Sequence, residues 1–313
     1  MKKITIFVFS LLLVSCAGMK KANEFYTNKN YKLAIKECEQ AIAEDSLNAE
    51  AHLILGKSYL AQKNIDKAIL SLKTAYRIQP PSKITGEAKN ELMSARLMKG
   101  DKLFANTDHN AAVTEFMEVL KLDSTNFQAY LKLGNCYENK RYLDRAKDYY
   151  IKAAKYSPDS LTVVKKLQFV DSLTILADVN FKKGLKFYKR SKNNSAIKYL
   201  KKALQEKQDH KQAKYYSHMA RGKIFYQKGN KKNCWNAIEQ FGQAMILWPE
   251  SAEPNYFLAK AYEKKDREEF DNAIQQYQKA LDKDQDGPFA RASKKKVKEL
   301  TTRRDKLKKF WGK

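Results

Sequence analysis

Glycine and proline are scarce in this chain, 11 and 6 residues among 313. Both punctuate turns and interrupt helices, so their shortage over this length favours an all-helical chain. The four cysteines are Cys16, Cys38, Cys136 and Cys234, and none of them forms the C-x-x-C spacing of a zinc ribbon or a redox pair. The four histidines, His52, His109, His210 and His218, share no ligand spacing. Phosphate-cradling G-x-x-x-x-G-K-[ST], nucleophile-elbow G-x-S-x-G and metalloprotease H-E-x-x-H motifs are all missing. No enzyme is therefore expected, and neither a cofactor nor a metal.

Positive charge, by contrast, is abundant. Sixty-one basic residues face 35 acidic ones, a net charge of +26. Such an excess attracts polyanions: nucleic acid, anionic lipid or an acidic protein. With 43% hydrophobic and 31% charged residues the composition is that of a folded chain, not a disordered one.

The first residues bear on compartment. Met1-Lys2-Lys3 is a short positive segment, and Ile4 to Val14 is an eleven-residue apolar run. Spanning a bilayer takes about 20 residues, so the run suits a signal-peptide core and not a transmembrane helix. Leu13-Val14-Ser15-Cys16 follows, and it resembles the lipobox of bacterial lipoproteins. The resemblance implies removal of residues 1–15, a diacylglycerol on the Cys16 thiol and acylation of the new amine. Two or three acyl chains anchor a protein stably where one does not. Ala17 is not the acidic residue linked with inner-membrane retention, so the resemblance places the chain on the outer membrane, facing the periplasm. Loss of Lys2 and Lys3 leaves a mature charge of +24.

The body repeats. Leu55-Gly56, Tyr59, Ala68, Leu72, Ala75 and Pro80 recur at the same offsets as Leu133-Gly134, Tyr137, Ala146, Tyr150, Ala153 and Pro158. A small residue in the first helix of each unit falls at Ala22, Gly56, Gly100, Gly134, Gly184, Gly222 and Ala259. Three residues later stand Phe25, Tyr59, Leu103, Tyr137, Phe187, Phe225 and Tyr262. The second helix carries Ala34, Ala68, Ala112, Ala146, Ala196, Ala237 and Ala273. Bulky or sulfur side chains follow at Cys38, Leu72, Phe116, Tyr150, Leu200, Phe241 and Tyr277, then small ones at Ala41, Ala75, Val119, Ala153, Ala203, Ala244 and Ala280. Small residues let two antiparallel helices approach; bulky ones fill the space toward the next helix. The pattern resembles the tetratricopeptide repeat, a 34-residue helix–turn–helix unit. It implies an all-α, right-handed superhelical solenoid of about seven repeats, near 16–48, 49–82, 93–126, 127–160, 177–210, 215–251 and 252–287.

First-helix markers are separated by 34, 44, 34, 50, 38 and 37 residues. The extra residues before repeats three and five are helix-compatible, with Leu161, Val164, Leu167, Val170 and Leu173 at helical spacing. They predict lengthened first helices there, or a short additional helix near 161–170. Residues 227–236 and 264–271 read as polar loops. Cys234 and Trp235 stand exposed in the first of these, or Trp235 opens the second helix and packs. Cys38 sits at a core position, as a buried structural thiol would. Residues 288–313 read as a C-terminal capping helix with eleven Lys/Arg in 291–313, and its basic face also suits an anionic membrane surface or an acidic partner.

In the family this pattern resembles, first helices line a surface that grips a partner's peptide or helix. Carried over, the partner-facing positions are Phe104, Phe181, Leu185, Tyr188, Tyr216, Lys223, Tyr226, Tyr256 and Lys260. Rings supply contact area at low entropic cost, and lysines between them attract carboxylates. About half of these side chains are expected to stay open to the groove, the rest packing between repeats. Leu131 stands where the family's carboxylate clamp requires lysine, which argues against a chaperone-tail receptor. The expectation is a membrane-anchored scaffold whose partners are other envelope proteins, not nucleic acid. A binder of anionic surfaces or acidic polymers is the alternative.

Overall fold

A computed structural model describes residues 18–78, 81–157, 160–266 and 270–312. The expected leader, Cys16, Pro80 and Pro158 lie outside the described residues. Within them the fold is all-α, with no strand. It divides into two compact units, residues 1–140 with 145–167, and 141–144 with 168–313.

Unit 1 contains α1 (18–27), α2 (Tyr31–Glu44), α3 (Ala49–Ala61), α4 (Ile65–Arg77), α5 (Lys83–Ala105), α6 (His109–Leu122) and α7 (Phe127–Asn139). It also takes most of α8 (Leu143–Tyr156) and the start of α9 (Leu161–Lys189). Unit 2 takes the rest of α9, then α10 (Asn193–Glu206), α11 (Lys211–Lys228), α12 (Lys231–Leu247), α13 (Ala252–Lys265), α14 (Phe270–Lys283) and α15 (Ala290–Trp311). Each helix packs on the next in sequence: α2 to α7 in unit 1, and α10 to α15 in unit 2.

The repeat markers are the core. Every small first-helix residue from Ala22 to Ala259 is buried, as is every second-helix marker from Ala34 to Ala280. The reason is close approach. A Cβ on Gly134 would lie 2.3 Å from Tyr150 Cε1; on Gly100, 2.3 Å from Phe116; on Gly222, 2.4 Å from Phe241. Each glycine is thus the floor on which the second helix lays its largest side chain. The residues three positions after the glycines behave differently. Phe25, Tyr59, Leu103, Tyr137, Phe187, Phe225 and Tyr262 are all half-buried, so they close the edge of each helix pair and do not fill its centre.

The turns inside the pairs share a device that is not apparent from residue types. Seven residues after each small marker the backbone is left-handed: Lys29, Lys63, Thr107, Arg141, Ser191 and Gly229, with φ between 58° and 76°. Only the last is glycine, and each of the others bears strain of about 1 kcal/mol or more. The residue after the turn often caps the second helix. Asn64, Asp108 and Asn230 accept from the backbone N–H three residues on.

The insertions resolve as longer helices. α5 and α9 reach 23 and 29 residues, so repeats three and five have extended first helices and 161–170 is no separate element. The apolar stripe read there is corrected in part: Val170 is buried and Leu167 and Leu173 are half-buried, but Leu161 and Val164 are exposed, and Val163 and Ala177 join Val170 in the interior. The seven-residue spacing of those three keeps one face inward along a long helix. The loop expected at 227–236 is also corrected. α11 runs to Lys228 and α12 starts at Lys231, because Gly229 takes the left-handed cap and Asn230 caps the next helix. Cys234 is consequently buried on α12, whereas Trp235 is half exposed beneath the Lys265 ammonium, 4.2 Å from its ring centroid. Residues 267–269 of the second expected loop lie outside the described residues. Cys38, Cys136 and Cys234 are all buried free thiols. Burial pushes Cys38 and Cys136 up to about 12.

α15 stands in the place of an eighth first helix. Ser293, 34 residues after Ala259, is fully buried like the small residues before it. Leu300 enters a cluster with Ala259, Phe270, Ala273 and Tyr277.

Candidate functional site

In several first helices the residue after the small marker is polar or charged: Lys57, Asp101, Asn135, Lys223 and Lys260. In unit 1 these positions are largely neutralised. Lys57 pairs with Glu87 at 2.9 Å and Asp101 with Lys132 at 2.7 Å, while Asn135 Oδ1 lies 2.8 Å from the Tyr150 hydroxyl of its own repeat. Away from these positions, Lys166 pairs with Glu138 at 2.9 Å. In unit 2 the equivalent residues are Leu185, Lys223 and Lys260, and the two lysines differ from each other.

Lys223 is fully engaged. It donates to Glu253 Oε1 at 2.8 Å and lies 4.1 Å and 4.4 Å from the ring centroids of Tyr188 and Phe257. The Tyr188 hydroxyl donates to the same Glu253 oxygen at 2.6 Å. Burial, with Glu253 beside it, pushes the Tyr188 hydroxyl far up, so it stays protonated as a donor.

Lys260 has rings but no carboxylate. Its ammonium lies 5.2 Å from the Tyr226 ring centroid, 5.5 Å from Tyr256 and 5.8 Å from Phe257. No hydrogen bond or ion pair to it is present among the described residues. Burial draws Lys260 below its ordinary value; Glu263 opposes this, and Lys296, Lys264 and Lys223 add to it. It opens into a cleft of about 510 Å³ among α11, α13, α14 and α15. Four lysines (260, 264, 295, 296) and two glutamates (263, 299) line it with Tyr226, Tyr256 and Tyr277. Both glutamates are committed to Lys296, at 2.7 Å and 3.4 Å. The Tyr277 hydroxyl donates to Glu263 at 3.0 Å, and Lys264 donates to the Tyr226 carbonyl at 3.0 Å. An incoming carboxylate would meet an aromatic-walled, half-desolvated cation, where a charge-assisted hydrogen bond is worth more than at an open surface.

The structure gathers the expected residues unevenly. Tyr226, Tyr256 and Lys260 meet at the cleft. Lys223 and half-buried Tyr216 stand beside them, Tyr216 edge-on to Tyr188 at 5.0 Å. Phe181 and Tyr188 are 8% and 6% exposed and belong to a core cluster, with Leu185 packed against it, so they are not open to the groove. Phe104 belongs to unit 1, where it contacts His109 at 5.0 Å. Cys16 lies outside the described residues. Contributors that did not stand out from sequence include Phe257, Glu253, Glu263, Lys264, Lys295 and Lys296. The last two were visible as part of a basic helix, and the 34-residue step from Ala259 to Ser293 would have placed that helix in the groove frame.

Models described as tetratricopeptide repeat match residues 19–83 and 236–288, and a second such model matches 127–160. Protein bimA of Emericella nidulans is 24% identical over 120 residues, 38% of this chain and 14% of that protein. The chain thus spans well under two thirds of that relative. Among solved structures, the P58(IPK) TPR domain aligns over 92% of this chain and 89% of its own, at 15% identity and TM-score 0.36. MamA aligns over 61% of this chain and 91% of its own, at 24% identity and TM-score 0.37. PilF of Pseudomonas aeruginosa aligns over 80% of this chain and 99% of its own, at 16% identity and TM-score 0.32.

Proposed function

Because the chain is a tetratricopeptide-repeat protein, built on a fold that holds other proteins, we propose that it is a membrane-anchored scaffold of the bacterial cell envelope whose unit 2 cleft grips an acidic segment of a protein partner. The observation that carries the acidic part is Lys260: a half-buried ammonium boxed by Tyr226, Tyr256 and Phe257, without a carboxylate of its own. Leaving a partly desolvated charge unpaired is unfavourable, so a partner carboxylate recovers what the fold leaves open. Lys264 and Lys295 add attraction, and the tyrosines add contact area that discriminates a peptide from a simple anion.

Lys260→Glu is expected to weaken binding of a glutamate-rich peptide by about 2 kcal/mol or more, roughly 30-fold. Lys57→Glu is the control, since Lys57 already has Glu87. Fluorescence anisotropy against acidic and neutral peptides of equal length checks this. Equal loss in both variants, or no preference for the acidic peptide, would sink the cleft assignment.

The anchoring part rests on Leu13-Val14-Ser15-Cys16. In a bacterial host, Cys16→Ser is expected to abolish incorporation of labelled palmitate, because the thiol is the acyl acceptor. A Cys16→Ser chain that still incorporates label would overturn it. Among the described residues no helix is long and apolar enough to cross a membrane.

A further inference from the structure

The end of α15 carries apolar surface that no described residue covers. Leu300, Leu307 and Trp311 share one face of the helix, at steps of seven and four. Leu300 is buried and Leu307 packs at the edge of the same cluster. Trp311 is 72% exposed, and Phe310 beside it 78%. Their rings meet edge to face, centroids 5.3 Å apart. The geometry explains the exposure. Arg304 pairs with Asp271 in the first turn of α14 at 2.9 Å, so residues 305–311 run on past the start of that helix.

Charge accompanies the rings. Arg303, Lys306, Lys308 and Lys309 flank Phe310 and Trp311, and all four are exposed. The ion pairs of α15 use Lys296 and Arg304, leaving these four cations free of carboxylates among the described residues. Asp305, the nearby acid, is taken by Arg304 at 3.0 Å.

We infer that the end of α15 is a contact for an anionic membrane surface: Phe310 and Trp311 enter the boundary between headgroups and acyl chains, and Arg303, Lys306, Lys308 and Lys309 engage lipid phosphates. Rings that project beyond a helix, with no pocket behind them, need a medium that adapts to their shape, and the bilayer interface is one. Flexible cations around them match a phosphate layer without demanding fixed partners. An acidic protein would satisfy the cations but would need a cavity shaped to both rings. The inference is independent of the Lys260 cleft, whose residues it does not use.

Flotation with vesicles of phosphatidylcholine alone, or of equal parts phosphatidylcholine and phosphatidylglycerol, tests it. The chain is used from Cys16 onward with Cys16→Ser, which keeps every described helix and removes leader and acyl chain from the measurement. It is expected to bind the anionic vesicles and not the neutral ones, with release at about 0.5 M NaCl. The double variant F310S/W311S, and separately K308E/K309E, should each bind about tenfold more weakly at unchanged helicity. Equal binding by both variants, or equal binding to neutral vesicles, overturns the inference. Failure to bind vesicles together with Phe310- and Trp311-dependent binding of polyglutamate overturns it in favour of an acidic protein.

Discussion

Gly134→Val is expected to destabilise unit 1 by about 3 kcal/mol or more, well beyond an ordinary surface change. The added Cβ alone would lie 2.3 Å, 2.4 Å and 2.9 Å from Cε1, Cδ1 and Cζ of Tyr150, closer than carbon atoms pack. The ring has no free direction in which to retreat. Tyr150 is fully buried, and its hydroxyl donates to Glu138 at 2.6 Å and lies 2.8 Å from Asn135 Oδ1. The helices must separate, or the ring must leave and take its hydrogen bonds with it. Gly56→Val should cost a comparable amount, because fully buried Leu72 puts its Cγ at 2.5 Å and its backbone nitrogen at 3.3 Å from the added Cβ. Gly242→Ala should do the reverse: nothing lies within 4 Å of its added Cβ, so helix propensity contributes about 0.5–1 kcal/mol of stability. Urea denaturation of the three variants separates these cases. A Gly134→Val chain within 1 kcal/mol of the parent would show that the crossing is looser than these distances state.

The contrast between Gly134 and Gly242 also shows what a sequence carries. Gly134 stands in the repeat frame and Gly242 does not, so the frame alone separates a packing glycine from an incidental one. The frame worked because its constraint is volume, and volume is a property of residue type. Conformation is less visible. The left-handed turn residues recur in the same frame, yet Lys29, Lys63, Thr107, Arg141 and Ser191 share no chemistry that marks them. The closely packed helices on either side hold them there, a tertiary effect overriding a local preference. Exposure was hardest to read. Tyr188 and Tyr226 were both plausible groove residues, but Glu253 draws Tyr188 inward by a hydrogen bond, whereas Tyr226 faces the lysine cleft. Which lysine lacks a carboxylate depends on pairings between helices some 30 residues apart, such as Lys223 with Glu253, and periodicity does not contain that information.

Leu300→Asp should detach α15 and lower the stability of the C-terminal end of unit 2 by about 4 kcal/mol. Leu300 is 3% exposed among Ala259, Phe270, Ala273 and Tyr277, so an aspartate there loses the packing and places a carboxylate among apolar groups. The cations one turn away offer little relief. Lys296 is held by Glu263 and Glu299, and Arg304 by Asp271 and Asp305. In a repeat array the loss stays near its source, since each repeat contacts its neighbours alone. Amide hydrogen exchange should therefore quicken across α14 and α15 and remain unchanged in α2 to α6. Leu300→Ala, which leaves a cavity without a charge, should cost about 3 kcal/mol and produce the same pattern more weakly. Unchanged exchange in α14 for both variants would refute a capping role. The cleft supplies a second reading of the same variants. Lys295, Lys296 and Glu299 form its α15 wall, so acidic-peptide binding at Lys260 should fall in Leu300→Asp although residue 300 faces no ligand. A cap that merely covered the last repeat would leave that binding intact. Its loss together with the exchange protection would make α15 both the closing layer of the core and a working side of the groove.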